Sequence, residues 1–377
     1  MEDRTADVAI VGAGIVGLAH AYMLSRKGYR VVLFERDDFA VGASVRNFGL
    51  IWPIGQKLCD GVELAMQSRR HWIELAHQAG FWLSHNGSLH LAHFEDEWDL
   101  LQEFYESSKK SLYDIKLLNV PETRQISDAV KAARLKGSLW SKTECTVNPR
   151  EAIRKLPIWL GEKYNVQFRF GQQVKEISLP YISSATEKWK VGSVIVCSGA
   201  DFESLYPKAF AQSDLIKCKL QMMKGRINAQ KNEIGPTICG GLTLRHYPSF
   251  KKCPSLSRVD ERYDAENMLL KKYGIHVLIS QNEQREIIIG DSHEYGKTLE
   301  PFNNVEIDQL IIDYMSTLLK FREITITQHW NGTYAKSQNS LYFKTCAEKD
   351  VMVVNGFGGA GMTLSFGVAE QLVNDHF

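Results

Sequence analysis

Read for its apolar and polar positions, the chain opens with an apolar run at residues 7–11 that stops at Gly12, as a buried parallel strand should. Residues 15–27, rich in Ala and Leu, predict a helix closed by Gly28, the residue best suited to the left-handed turn at a helix end. Residues 30–35 form a second apolar run. Strand, turn, helix and strand fit within about 30 residues, the size of a crossover between parallel strands. Helical periods follow at residues 57–80 and 96–109. The middle of the chain then changes character. Residues 87–93, 219–227, 237–247, 275–280 and 286–290 predict strands separated by turns, the pattern of a large, mostly antiparallel sheet. Two further apolar runs ending in glycine, 193–199 and 351–356, return to the character of the first.

Composition narrows the classes. With 44% hydrophobic and 24% charged residues in 377, the chain is neither disordered nor fibrous, and it is long enough for two or three folding units. Lys+Arg number 45 against 44 for Asp+Glu, a net charge of +1, so neither nucleic acid nor an anionic membrane is expected as a partner. A small molecule is. The seven cysteines are scattered with no C-x-x-C pair, which predicts reduced thiols and a cytoplasmic protein rather than a disulfide framework. Only residues 8–24 approach membrane length, and Gly12, Gly14, Gly17 and His20 make a strand and helix start the better reading.

The chemistry begins at Gly12-Ala13-Gly14-Ile15-Val16-Gly17. Gly12 permits the tight turn, Gly14 lets backbone approach a pyrophosphate, and Gly17 lets helix and strand pack closely. The helix start at Ile15 and Val16 offers free N–H groups and a positive dipole to phosphates. Glu35, with Arg36 after it, closes the next strand 18 residues beyond Gly17, where a ribose-binding acid is needed. Strand, helix and acid together predict a dinucleotide site; the glycines alone do not distinguish FAD from NAD.

Three later segments do. They are Gly42-Ala-Ser44-Val-Arg46-Asn47-Phe-Gly49-Leu50, then 191–200 with Ser198 and Gly199, and 353–365 with Gly359, Gly361, Met362 and Thr363. Together with the first motif they resemble the superfamily of FAD enzymes that includes D-amino-acid oxidase, glycine oxidase and sarcosine oxidase, from about residue 7 to 372. The resemblance implies an α/β fold (α+β overall). A Rossmann-like FAD-binding domain would come from residues 1–60, 145–204 and 326–377, and a substrate-binding domain with the large sheet from 61–144 and 205–325. It implies that the Ser44–Leu50 stretch runs beside the flavin, that Val174 meets the adenine, and that the Gly359–Thr363 turn opens a helix toward the flavin ring. It further implies hydride transfer from the carbon next to an amine nitrogen to flavin N5, followed by imine hydrolysis. Oxygen or another acceptor would take the electrons.

Two anchors of these relatives are absent. The run Trp330-Asn331-Gly332-Thr333-Tyr334 carries a tyrosine where an arginine would pair with the substrate carboxylate, and Thr363 stands where sarcosine oxidases place a lysine. No cysteine lies between His329 and Tyr342, so non-covalent FAD is expected. The segment 44–56, ending in Gln56, and the clusters 243–247 and 290–295 resemble a subgroup associated with aminophosphonate breakdown. Its expected substrate is 2-aminoethylphosphonate bearing an N-methyl or hydroxyl group. Arg245, Tyr247, His293, Tyr334 and Gln56 are the candidate substrate residues; strand alternation would put Arg245 and Tyr247 on one face, with His246 opposite. An alternative is an amino- or hydroxy-acid dehydrogenase feeding a quinone or carrier protein. A third is a flavin-binding redox sensor without turnover.

Overall fold

The structure, a computed structural model, describes residues 4–109, 111–229, 232–321 and 323–377. Five strands run parallel in the order Gln167–Arg169, Val31–Phe34, Thr5–Val11, Lys188–Val196 and Val351–Asn355. Phe343–Glu348 adds an antiparallel edge, and Val174–Ser178 and Tyr181–Ser184 extend the sheet from the first half of Lys188–Val196. Val31–Phe34 is buried at all four positions, as a strand covered on both faces requires. The helix Ile15–Arg26 and the C-terminal helix Gly361–His376 pack on this sheet, with Leu18, Leu24, Leu364 and Phe366 inaccessible to solvent.

The second sheet holds nine strands. It is antiparallel except where Thr237–Cys239 runs parallel to Ser88–Ala92. Its backbone is the pair Leu215–Ile227 and Ile324–Ser337, bonded along their whole lengths. A three-stranded sheet, Leu50–Ile51, Cys145–Val147 and Leu83–Ser84, completes the strands. The mixed α/β architecture agrees with the apolar pattern, and the expected elements sit within a few residues of the observed ones in most places: Asp60–Ala79 and Glu95–Ser108 are helices, and Glu286–Gly290 is a strand.

Residues 237–247 are the exception. The strand stops at Cys239, and Gly241–His246 is a helix. The Gly240-Gly241 pair turns the chain where it is wedged against neighbours: a Cβ on Gly241 would stand 2.0 Å from Glu97 Oε1, and one on Gly240 2.7 Å from the Tyr314 hydroxyl. Among the described residues no helix is long and apolar enough to cross a membrane. All seven cysteines are free thiols.

Candidate active site

The glycine turn is built as the motif requires. Gly12 has φ +101°, and a Cβ there would meet the Cys197 carbonyl oxygen at 2.4 Å. Gly17 does not line the cavity described below; it lies under the turn, where a Cβ would come 1.9 Å from the Gly12 carbonyl oxygen. Gly14 begins the helix with no side-chain cap, and Ile15 N–H donates to Ser44 Oγ at 2.9 Å. Glu35, buried, accepts from Ala13 N–H at 2.9 Å and from Asp37 N–H at 3.1 Å, so one carboxylate ties the turn to the end of the second strand. Arg36 pairs with Asp201 at 3.1 Å.

These groups line one end of a cavity of about 1590 Å³, where Gly12, Gly14, Ile15, Val16, Glu35 and Arg36 meet Val174, Ser198 and Gly199. Ser44, Arg46, Asn47, Leu50 and Gly332 line its middle, together with Gly359, Gly361, Met362 and Thr363. The helix Gly361–His376 also starts without a side-chain cap, so two helix N-termini with unclaimed N–H groups open on one cavity. That donor set fits a long dianionic cofactor whose pyrophosphate and ring system both need backbone N–H partners.

Several expected groups are occupied structurally. Arg46 donates from Nε to the Val41 carbonyl at 2.7 Å and from its terminal nitrogen to the Asn331 carbonyl at 3.2 Å, which fixes the middle loop. Asn47 donates to the Ala43 and Ser44 carbonyls and accepts from Gly49 N–H at 2.7 Å. Gly49 is absent from the cavity wall: with φ +75°, its missing side chain lets the loop lie against the Val147 carbonyl, 2.0 Å from where a Cβ would be. Thr363 Oγ1 accepts from Trp52 N–H at 2.9 Å, so its hydroxyl serves the neighbouring loop.

The far end gathers Gln56, Tyr247, His293 and Tyr334. Arg245 is not with them. Because this segment is helical, side chains do not alternate, and Arg245 turns away from the cavity to Asp260 and Asp264, each at 2.6 Å. Those carboxylates stand four residues apart on the helix Leu256–Glu266, a spacing that presents both to one guanidinium. His246, expected on the opposite face, lines the cavity with Tyr247.

Sequence reasoning missed His276 and Lys336, which also line this end, and it placed Asp291 in the 290–295 cluster without assigning it a role. The one local signal for His276 was a polar residue beside the apolar run that becomes the strand Leu278–Gln281. His276 Nε2 lies 3.0 Å from Asp291 Oδ1. Burial drives the Asp291 carboxyl well above the usual carboxylate range and His276 well below the usual histidine range; burial also holds His293 near 4. Tyr334, opposite Cys218 in the long strand pair, is likewise pushed up by burial and stays a neutral phenol.

A family model described as DAO, FAD dependent oxidoreductase, matches residues 7–374. A D-amino acid dehydrogenase of Helicobacter pylori (strain J99) is 23% identical over 252 residues, covering 52% of this chain and 60% of that relative, so the chain spans less than two thirds of its length. The crystal structure of glycine oxidase from Geobacillus kaustophilus superposes with a TM-score of 0.78 at 18% identity, covering 99% of this chain and 94% of that one. L-alpha-glycerophosphate oxidase from Mycoplasma pneumoniae, solved with FAD bound, superposes with a TM-score of 0.74 at 18% identity, over 99% and 94% of the two chains.

Proposed function

The chain belongs to the DAO family of FAD-dependent oxidoreductases, and from that premise we propose that it oxidises a small anionic amine at the carbon next to nitrogen. FAD is the cofactor, and with no cysteine between His329 and Tyr342 in the sequence it is read as held non-covalently. When bound, FAD supplies the two-electron acceptor for the carbon–nitrogen bond. Gly12, Gly14 and the Val16 N–H would hold its pyrophosphate, with Ile15 at the cavity wall and its own N–H kept by Ser44 Oγ, and Glu35 would hold its ribose. Val174, Ser198 and Gly199 would border the adenosine half. The N–H groups of Gly361, Met362 and Thr363 would stabilise negative charge on the reduced ring.

The observation that carries this reading is one continuous cavity joining the dinucleotide cradle to a pocket of Gln56, Tyr247, His293 and Tyr334. The pocket's contribution is to hold the amine over the ring and to exclude water while hydride leaves. Arg46 faces the cavity with its Nε and one terminal nitrogen held on backbone carbonyls, which fixes its fork on the loop, and Arg245 is turned away. An amino-acid carboxylate therefore lacks the bidentate arginine that would ordinarily receive it. A substituted 2-aminoethylphosphonate fits this anchor set better, because several single donors can serve its three oxygens.

The test is an anaerobic titration of the FAD-loaded protein with glycine, sarcosine, D-alanine, 2-aminoethylphosphonate and its N-methyl derivative, followed by flavin absorbance. Bleaching by the phosphonates alone is expected. Bleaching by sarcosine or D-alanine alone would remove the phosphonate from the reading, and bleaching by no amine would remove amine oxidation. Readmitting air then separates an oxidase, which recovers its yellow colour within seconds, from a dehydrogenase that waits for a quinone or carrier protein.

A further inference from the structure

Building on the reading of this cavity as an amine-oxidising site, we propose that His246, His276 and His293, with Lys336, form a subsite for a tetrahedral oxyanion on the substrate: a phosphonate or a phosphate monoester. The three imidazoles lie together, with ring centroids 3.9 Å (His246–His276), 4.6 Å (His246–His293) and 5.1 Å (His276–His293) apart. Their planes are inclined by only 19–36°. One nitrogen from each lies within 4.8 Å of the others.

That geometry suits an anion better than a metal ion. With bonds of about 2.0–2.1 Å, a tetrahedral ion needs nitrogens about 3.4 Å apart whose lone pairs converge on one point. Near-parallel rings send their in-plane N–H groups side by side. Donors within 4.8 Å of one another can each reach a different oxygen of a head group that accepts at about 2.8 Å.

The surroundings assign the free nitrogens. His293 Nδ1 donates to the Gly274 carbonyl at 2.9 Å, which leaves its Nε2 for the cavity. His276 Nε2 stands at ion-pair distance from Asp291 but off the angle of a hydrogen bond, and its Nδ1 is buried with no partner. At 3% exposure, such an orphaned nitrogen is costly unless a ligand meets it. Asp291 acts as a positioning residue that stabilises His276 once protonated. Lys336, whose Nζ reaches the Tyr295 hydroxyl at 3.2 Å, brings an ammonium group from the strand Ile324–Ser337; burial lowers its pKa, and a bound anion would favour its charged form.

The titratable groups facing the trio are Lys336, Lys251 and Asp291, whose carboxyl pKa burial raises; Tyr247 and Tyr334 line the same space, Tyr295 packs on His293 and Cys218 pairs with Tyr334, and these four stay neutral because burial raises each. Burial depresses all three histidines, and an oxyanion within hydrogen-bond reach favours their charged forms. The head group and a proton therefore bind together. The free protein gives up that proton at lower pH than the complex does, so each binding event takes one up and affinity falls as pH rises. A carboxylate, with fewer oxygens and one charge, gains less.

The experiment is calorimetric titration of the FAD-loaded protein with inorganic phosphate at several pH values, in buffers of different ionisation enthalpy. The expected result is uptake of about one proton and up to tenfold weaker binding per pH unit above neutrality. His276→Gln and His293→Gln should each weaken phosphate at least tenfold and abolish the uptake while the flavin spectrum is retained. In turnover they should raise KM more than they lower kcat. 2-Aminoethylphosphonate against O-phosphoethanolamine distinguishes a carbon-linked from an oxygen-linked head group, and β-alanine serves as the carboxylate control. β-Alanine binding as tightly as the phosphonate, or zinc saturating the trio while phosphate fails to bind, would overturn the subsite. Amines that bleach the flavin without phosphate binding would sink the subsite and spare amine oxidation. Phosphate binding with proton uptake in a protein no amine reduces would do the reverse.

Discussion

Gly17→Ala puts the link between helix packing and cofactor binding to a quantitative test. The new Cβ would stand 1.9 Å from the Gly12 carbonyl oxygen, 3.2 Å from its carbon and 3.3 Å from Ile10 Cγ2. A carbon and a carbonyl oxygen rest at about 3.3 Å, so the helix start or the turn must give by roughly 1.4 Å. The turn resists, because Gly12 N–H is bonded to the Phe34 carbonyl at 2.7 Å. The helix resists too, since Leu18, Ala19 and Ala21 are fully buried. A shift of that size would stretch the 2.9 Å bond from Ile15 N–H to Ser44 Oγ beyond about 4 Å, past any hydrogen bond. Overpacking costs about 1–3 kcal/mol where side chains can yield, and with backbone on both sides the upper end applies. Losing one charge-assisted N–H contact of about 1.5–3 kcal/mol predicts FAD binding roughly 10- to 150-fold weaker. FAD fluorescence quenching on reconstitution of the apoprotein measures the affinity, and thermal unfolding measures the packing cost. Gly161→Ala is the control, because it lies away from the cavity inside the helix Pro149–Tyr164 and its Cβ would meet only the Val166 carbonyl oxygen, at an ordinary 3.6 Å. Wild-type affinity and an unchanged Tm in Gly17→Ala would refute the packing account.

Three further outcomes are expected. Arg245→Ala should destabilise the protein by roughly 1–2 kcal/mol in urea unfolding, through its partly buried contacts with Asp260 and Asp264, while the substrate KM stays within twofold; a large rise in KM would return Arg245 to the pocket. Thr363→Val removes the acceptor for the buried Trp52 N–H and should cost about 1–3 kcal/mol in the same assay, with no loss if another acceptor moves in. Burial holds His20 near 4 against its ordinary 6.5, so the unfolded chain binds the extra proton and stability falls as pH drops from about 6.5 toward 4. Acid unfolding of His20→Gln should begin at lower pH than that of the wild type, and identical curves would assign the acid limb to other groups.

Short-range demands were readable in the chain. The glycine turn, the helix at residue 15 and the acid after the second strand each answer a requirement set by neighbours within about 20 residues, and the structure ties them by Ala13 N–H to Glu35 and by Gly17 against Gly12. Apolar runs ending in glycine marked the buried parallel strands for the same reason: burial on both faces leaves little choice of residue.

What came from elsewhere in the chain was not readable. The segment after Cys239 is β-prone by composition, yet it turns helical because Gly240 and Gly241 fit against Tyr314 and Glu97, the latter more than 140 residues away. That change of period exchanged the expected Arg245 for His246 at the cavity wall. The trio of His246, His276 and His293 forms only because a helix end, a chain segment entering one strand and a segment leaving another meet there. The chain's own periodicity and glycine spacing thus determine its architecture and its dinucleotide cradle, since backbone sterics and burial act locally. Which side chains face the substrate end is decided by tertiary packing, because the partners that claim Arg245 and release the histidines come from other segments of the chain.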